Sequence, residues 1–541
     1  MSELAECLRA VDTAMRMGNK QQAIRLSGEA ARLGADRPQI LVLAAYDSLE
    51  QGAFERALAY AERAMAANRH DPETLNAYAL SLRACGRHKE ALAAFDAGLR
   101  QAPGRAVLHY GKGCVLEMMG ENARAWQSFE RAVALQPQHA LALSRLAELA
   151  IERGDVAAAR LYGERTLRLI ADEPAATLAL ASADVEEKKY QAALTRLAPF
   201  AGKATSTDHV IAQGLRGDAL DGLGRRHEAF LAYAASNDTM RALYRAVYEA
   251  PGQTSACALV EDLACYFRDA PADAWRCRKT GKTSRTHVFL VGFPRSGTTL
   301  LEQVLAAHLD VESMEERLCF AEIEDEFLNR KGLDRLAALS GEALEPWRQA
   351  YWRAVADNGI EPSRSVFIDK LPLNSVDLCL VAKLFPDAKI LFALRDPVDV
   401  VWSCFRRRFA MSVQMYELLG LERAARYYDA VMRLVASYRE KLGFDIHDVV
   451  YEKLVADFAG ETRKICNFLG LDWNEAMADF SAVSRKRAPY TPSGVQVARG
   501  LYRHAVGQWQ AYRAELEPIL PILAPWRVRF GSQEASDAPR P

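Results

Sequence analysis

Val288-Phe289-Leu290-Val291-Gly292-Phe293-Pro294-Arg295-Ser296-Gly297-Thr298-Thr299-Leu300-Leu301 is the stretch that decides the fold of the C-terminal half. Its first residues form a short β-branched apolar run, the pattern of a buried strand. The chain then turns through Gly292, Pro294 and Gly297. From Leu300, apolar residues recur at helical spacing through Val304 and Leu305. A strand, a glycine-bearing loop and a helix N-terminus in this order make an anion cradle, with backbone N–H groups and the positive end of the helix dipole aimed at one place.

The spacing Gly-x4-Gly-Thr-Thr is close to a phosphate loop, but Thr298 stands where such a loop carries lysine. Nucleotide hydrolases need that lysine at the β/γ-phosphates, with Mg²⁺ on the following hydroxyl. Here the cation is Arg295, and hydroxyls come from Ser296, Thr298 and Thr299. This set suits a phosphate-like group bound without a required metal. Further apolar runs at Val366–Ile368, Lys389–Leu394 and Ile446–Tyr451 alternate with helical patterns, predicting an α/β domain with a mostly parallel sheet. Ligands of such sheets sit beyond the C-terminal strand ends. Asp369-Lys370 and Arg395-Asp396-Pro397 follow two of those strands, so three cation-bearing strand ends converge on one anionic ligand.

Upstream, Gly18, Gly52, Gly86, Gly120 and Gly154 are each 34 residues apart. Ala23, Ala57, Ala91, Ala125, Ala159 and Ala193 keep the same step, and Gly224 with Ala229 forms a late unit. Glycine falls where one helix stops; the small alanine lets paired helices approach closely. The period resembles that of the tetratricopeptide repeat, which implies about seven stacked units in an α-solenoid. Solenoids present concave surfaces, so docking of a peptide or protein is expected, with Tyr78, Arg83, His109, Tyr110 and Lys112 as groove candidates. The divisions read from composition are a repeat array at 1–245, a helical connection at 246–285, the α/β domain at 286–530 and a disordered polar tail at 531–541.

Pro294-Arg295-Ser296-Gly297-Thr298-Thr299-Leu300 resembles the 5′-phosphosulfate loop of sulfotransferases that use 3′-phosphoadenosine 5′-phosphosulfate (PAPS), above all the tyrosylprotein sulfotransferases and bacterial sulfotransferases with tetratricopeptide repeats. The resemblance implies roles. Arg295, Ser296, Gly297, Thr298 and Thr299 would hold the phosphosulfate. Arg395 and Ser403 would clamp the 3′-phosphate, a chemistry that Arg and Ser donors suit. Lys370 would neutralise the leaving phosphate. Glu316, or Glu315 beside it, would take the acceptor proton. Tyr451 and Arg499 fall on positions near the nucleotide, and Ser493 on one near the sulfonate. The expected reaction is sulfonate transfer from PAPS to a hydroxyl, on a peptide or protein, with no metal required.

The chain has 541 residues, enough for two or three domains. With 69 basic against 70 acidic residues the formal net charge is -1, which gives no reason to expect nucleic acid or a membrane surface as partner. No apolar run is long enough to span a bilayer. The acidic start lacks an apolar core, so no secretory leader is expected. Ten scattered cysteines without a Cys-x-x-Cys pair suit reduced thiols and a cytoplasmic protein. His308 is expected to cap a helix. The acids Glu322–Glu326 and the run Arg406-Arg407-Arg408 are expected on solvated helix faces. The rival readings are an enzyme of ATP- and Mg²⁺-dependent phosphoryl transfer, and a repeat scaffold with an inactive transferase domain.

Overall fold

The computed structural model describes residues 3–202, 204–276, 279, 281, 285–480 and 506–531. The chain divides into two compact units, Met1–Glu187 and Lys188–Pro541.

The first unit is all helical among its described residues, from Glu3–Arg16 to Pro174–Glu186. The 34-residue period is a backbone requirement. Gly18, Gly52, Gly86, Gly120 and Gly154 have φ of 70°, 71°, 73°, 75° and 72°, the left-handed conformation that ends one helix and starts the next. Lys188, one further step on, takes φ 61° without being glycine. The in-phase alanines Ala23, Ala57, Ala91, Ala125 and Ala159 are all fully buried. Pro38, Pro72 and Pro174 open helices, where the missing N–H costs nothing. Of the groove candidates, Tyr110 packs into the stack beside Phe129 and His139, and Lys112 pairs with Asp96 at 2.7 Å.

The second unit begins before the composition change. Its helices Thr207–Gly222 and Arg226–Tyr248 carry the late repeat features, yet they pack on the α/β part of the same unit. Asn237 Nδ2 donates to Phe405 O at 2.8 Å, and Tyr233 meets Trp402 edge-on. The sheet is β1 (Thr286–Gly292), β2 (Val311–Glu315), β3 (Val366–Lys370), β4 (Lys389–Leu394) and β5 (Asp445–Val450). All pairs are parallel and the order is β2-β3-β1-β4-β5. Helices cover both faces. Val288 and Leu290 pack towards Thr298–Ala306, and Phe289 and Val291 towards Leu421–Lys441. β2 lies at an edge, and the sequence reading misses it. Its five residues include two acids and follow directly on a helical pattern, whereas the structure ends that helix at Ala306. No helix of the described residues is long and apolar enough to cross a membrane, and their nine cysteines are all free thiols.

Candidate functional site

The parallel register aligns the strand ends. Leu290 and Glu315 both pair with Lys370, and Leu394 pairs with Val450. Residues just past those ends therefore meet, and the site is built from them.

The loop after β1 is held from beneath. Ser375 Oγ donates to Gly292 O at 3.0 Å, and Cys404 Sγ donates to Pro294 O at 3.3 Å. A Cβ on Gly292 would lie 2.7 Å from Ala393 O, so β1 and β4 approach there only because this residue is glycine. Arg295 has φ 72° and Gly297 φ 100°, so the loop is wound through two left-handed positions on either side of Ser296. Gly297 is the N-cap of Thr298–Ala306, and no side chain caps this helix. Its first-turn N–H groups are thus directed at whatever lies over the loop.

Arginines surround that point. Arg295 Nε donates to Ser403 Oγ at 3.0 Å. Arg395 Nη1 donates to Arg295 O at 3.2 Å, and its guanidinium lies 5.1 Å from the Tyr451 ring centre. Burial pushes the Arg295 guanidinium down to about 9, and the positive charges of Arg407, Arg395 and Arg406 press it in the same direction. A cation crowded by like charges at an uncapped helix start is a site that an anion stabilises.

The second cluster stands at the ends of β2 and β3. The Lys370 side chain is fully buried, with its Nζ 2.8 Å from Glu316 Oε1 and 3.3 Å from Glu315 Oε1. Burial alone would lower its pKa, but Glu316, Glu315 and Glu302 outweigh burial and raise it, so the amine stays charged. Glu302 is the one acid of the helix Thr298–Ala306. It accepts from Ser313 Oγ at 2.7 Å and from Gln303 Nε2 at 3.1 Å. Burial raises its carboxyl, with Lys370 opposing. Glu316 has φ 46°, an unfavourable conformation for glutamate. Its N–H donates to Lys370 O at 2.8 Å, one more rung of the β2–β3 ladder, which fixes the strained residue beside the lysine.

Residues 287–475 match the sulfotransferase family, and residues 48–112 and 110–174 match two families of the tetratricopeptide repeat. The second unit carries a sulfotransferase-family domain. The chain is similar to an uncharacterized protein of Aquifex aeolicus, 27% identical over 46% of this chain and 33% of that protein. It is also similar to protein-tyrosine sulfotransferase 1 of Danio rerio, 24% identical over 47% of this chain and 74% of the relative. The protein-tyrosine sulfotransferase of Drosophila melanogaster is 27% identical over 44% of this chain and 51% of its own length. Among solved structures, a thermophilic repeat protein of Thermus thermophilus is 22% identical over 33% of this chain and 98% of its own, with a TM-score of 0.29.

Within the sulfotransferase domain, the structure brings Arg295, Ser296, Gly297, Thr298, Thr299, Arg395, Ser403 and Tyr451 together around the loop. A Cβ on Gly297 would meet the Tyr451 ring at 2.7 Å, so that tyrosine abuts the loop directly. The hydroxyl of Ser403 is engaged by Arg295. Lys370 and Glu316 form the neighbouring cluster. Ser493 and Arg499 lie outside the described residues, as does 532–541. Asp369 turns away from this cluster. Neighbours on a strand face opposite sides, and Asp369 accepts from Tyr351 Oη at 2.8 Å on the other face, where burial pushes its carboxyl up to about 7.

Three expectations change. His308 is no general base: Asp310 N donates to Nδ1 at 3.1 Å and Nε2 lies 3.0 Å from Asp472 O, so both ring nitrogens are occupied. Arg406-Arg407-Arg408 is not a solvated face. Burial lowers the Arg408 pKa, and Arg407 faces Arg295. Glu324, read as solvated, is half-buried, and burial raises its carboxyl. Sequence reasoning misses Glu302 and Arg407. A single acid in the apolar run Leu300–Ala306 was the available signal for the first; the second has none, because only the loop's path past the helix Pro397–Phe405 brings it close. Among the described residues, no group of three or more His, Cys, Asp or Glu is placed to hold a metal ion.

Proposed function

We propose that the chain transfers a sulfonate group from PAPS to a hydroxyl acceptor. The observation that carries the reading is the crowding of Arg295 by Arg395, Arg406 and Arg407 at an uncapped helix N-terminus, beside the Lys370–Glu316 pair. The residues present fit the donor's groups: guanidiniums for the 3′-phosphate and phosphosulfate, close-approach glycines, and buried hydroxyls at Ser296, Thr298 and Thr299. When bound, PAPS supplies an activated sulfonate and a phosphate leaving group. Arg295 and the N–H groups of Thr298 and Thr299 bind and orient it. Arg395 sets the preference for a 3′-phosphorylated nucleotide through a charge-assisted contact. Lys370 carries the positive charge aimed at the leaving oxygen. Glu316 accepts the acceptor's proton at its carboxylate; with its side chain 38% exposed against 16% for Glu315, it is the more reachable of the two.

The relatives named protein-tyrosine sulfotransferase and the repeats favour a phenolic hydroxyl, with the solenoid docking a protein or peptide partner. Calorimetric titration with adenosine 3′,5′-bisphosphate against ATP plus Mg²⁺ tests the reading. Tight binding of the bisphosphate alone is expected. Preference for ATP plus Mg²⁺ would replace it with a phosphoryl-transfer enzyme.

A further inference from the structure

A cavity of about 850 Å³ opens past the C-terminal ends of β2 and β3 within the second unit. It is next to the proposed chemistry. Leu371, on its wall, directly follows Lys370, and Leu318 lies two residues after Glu316. Its volume is that of a small-molecule site. The wall is apolar and partly aromatic: Leu259, Leu263, Met415, Tyr266 and Tyr427 line it.

Its polar groups are few. Arg330 is the one basic residue among the described lining residues; it is exposed, as is Asp262. Two carboxyls lie deeper, Glu324 and Asp377. Burial raises both, so they add uncharged hydrogen-bonding groups to the wall near neutral pH. Asn374, four residues after Lys370, is 2% exposed on the same wall, and its Nδ2 has no hydrogen-bond partner. A buried amide left without a partner is costly, and a bound oxygen would offset that cost.

We propose that this cavity is the acceptor site and that it takes an uncharged aromatic hydroxyl compound, with Asn374 donating to one of its oxygens. The assignment rests on the sulfotransferase reading for its chemistry. An acidic acceptor would face Glu324 and Asp377 without a cation among them, and like charges at short range are strongly disfavoured at low dielectric. A cationic acceptor would have to ionise two carboxyls that burial keeps neutral.

The test uses the full chain with adenosine 3′,5′-bisphosphate present. Binding of 2-naphthol is read by ligand-observed NMR, and its transfer rate from PAPS is compared with that of tyramine and of a tyrosine peptide flanked by glutamates. 2-Naphthol should bind, and its kcat/KM should exceed both others by about tenfold or more. Leu259→Trp, which fills the cavity from a half-buried position, should weaken naphthol binding by about tenfold with bisphosphate affinity unchanged. Asn374→Leu should weaken it by a smaller factor. The proposal is overturned by absent naphthol binding, by naphthol binding indifferent to both substitutions, or by preference for the acidic peptide or tyramine. Loss of bisphosphate binding in the unsubstituted protein would instead sink the sulfotransferase reading, and the naphthol titration would still read the cavity.

Discussion

The repeat unit and the sulfotransferase unit use the same device, a residue forced to positive φ, for opposite ends. In the repeats, five glycines adopt φ near 70° at equal intervals, where glycine is unstrained and each turn joins neighbouring helices. In the sulfotransferase unit, Arg295 and Glu316 adopt φ of 72° and 46°, and both are residues whose side chains carry charge into the site. One region uses glycine to avoid strain; the other tolerates strain to place a functional group. A left-handed glycine therefore marks a local joint, and a left-handed arginine or glutamate marks a position that the surrounding fold over-determines.

The comparison breaks most readily at the strained functional residues. Glu316→Gln should lower kcat by about 10²–10⁴, the range for loss of a general base, with the unfolding midpoint little changed, as activity and thermal melts together would show. A variant retaining full activity would leave Glu316 as a partner of Lys370 and no more. Lys370→Met should cost about 10²–10³ in rate, measured as kcat with saturating donor. Arg395→Ala should weaken adenosine 3′,5′-bisphosphate by about 10–100-fold, the worth of a charged hydrogen bond, and adenosine 5′-phosphate much less. Equal losses in a paired titration would remove Arg395 from 3′-phosphate recognition.

Stability effects come next. Asp369 is raised from 3.8 to about 7 by burial. The native state therefore keeps a proton that the unfolded chain has released, and stability falls as pH rises through that window, levelling off above it. Asp369→Asn should flatten that part of the curve in urea titrations at several pH values. The smallest effect is in the repeats. Gly86→Ala should destabilise by about 1–2 kcal/mol through left-handed strain, whereas Lys188→Gly should stabilise by up to a similar amount, both without effect on the rate per folded molecule. A Gly86→Ala variant with normal stability would mean that the periodic glycines answer to something other than φ.

Much of this was legible in the chain. Period, alanine positions and helix ends of the repeats are local properties, repeated often enough to be read at once. The loop from Gly292 to Thr299 was legible because phosphate-type cradles need glycine and hydroxyl at fixed spacing. β2 was not, because a short edge strand with Glu312 and Glu315 has the composition of a helix end, and it becomes a strand through pairing with β3. Arg407 was illegible because a run of three arginines reads as solvated until its neighbours are known.

The sequence by itself determined a helical array of 34-residue units and a strand–loop–helix anion cradle with arginine in place of lysine, since both depend on residues close together in the chain. The tertiary structure alone decided which of the conspicuous groups meet. The parallel register put Lys370 against Glu315 and Glu316, sent Asp369 to the opposite face to Tyr351, and left an uncharged cavity beyond the β2 and β3 ends. Those outcomes depend on contacts between segments about 50 to 100 residues apart, such as Lys370 with Glu316 and Arg395 with Arg295, whose energies no local pattern encodes.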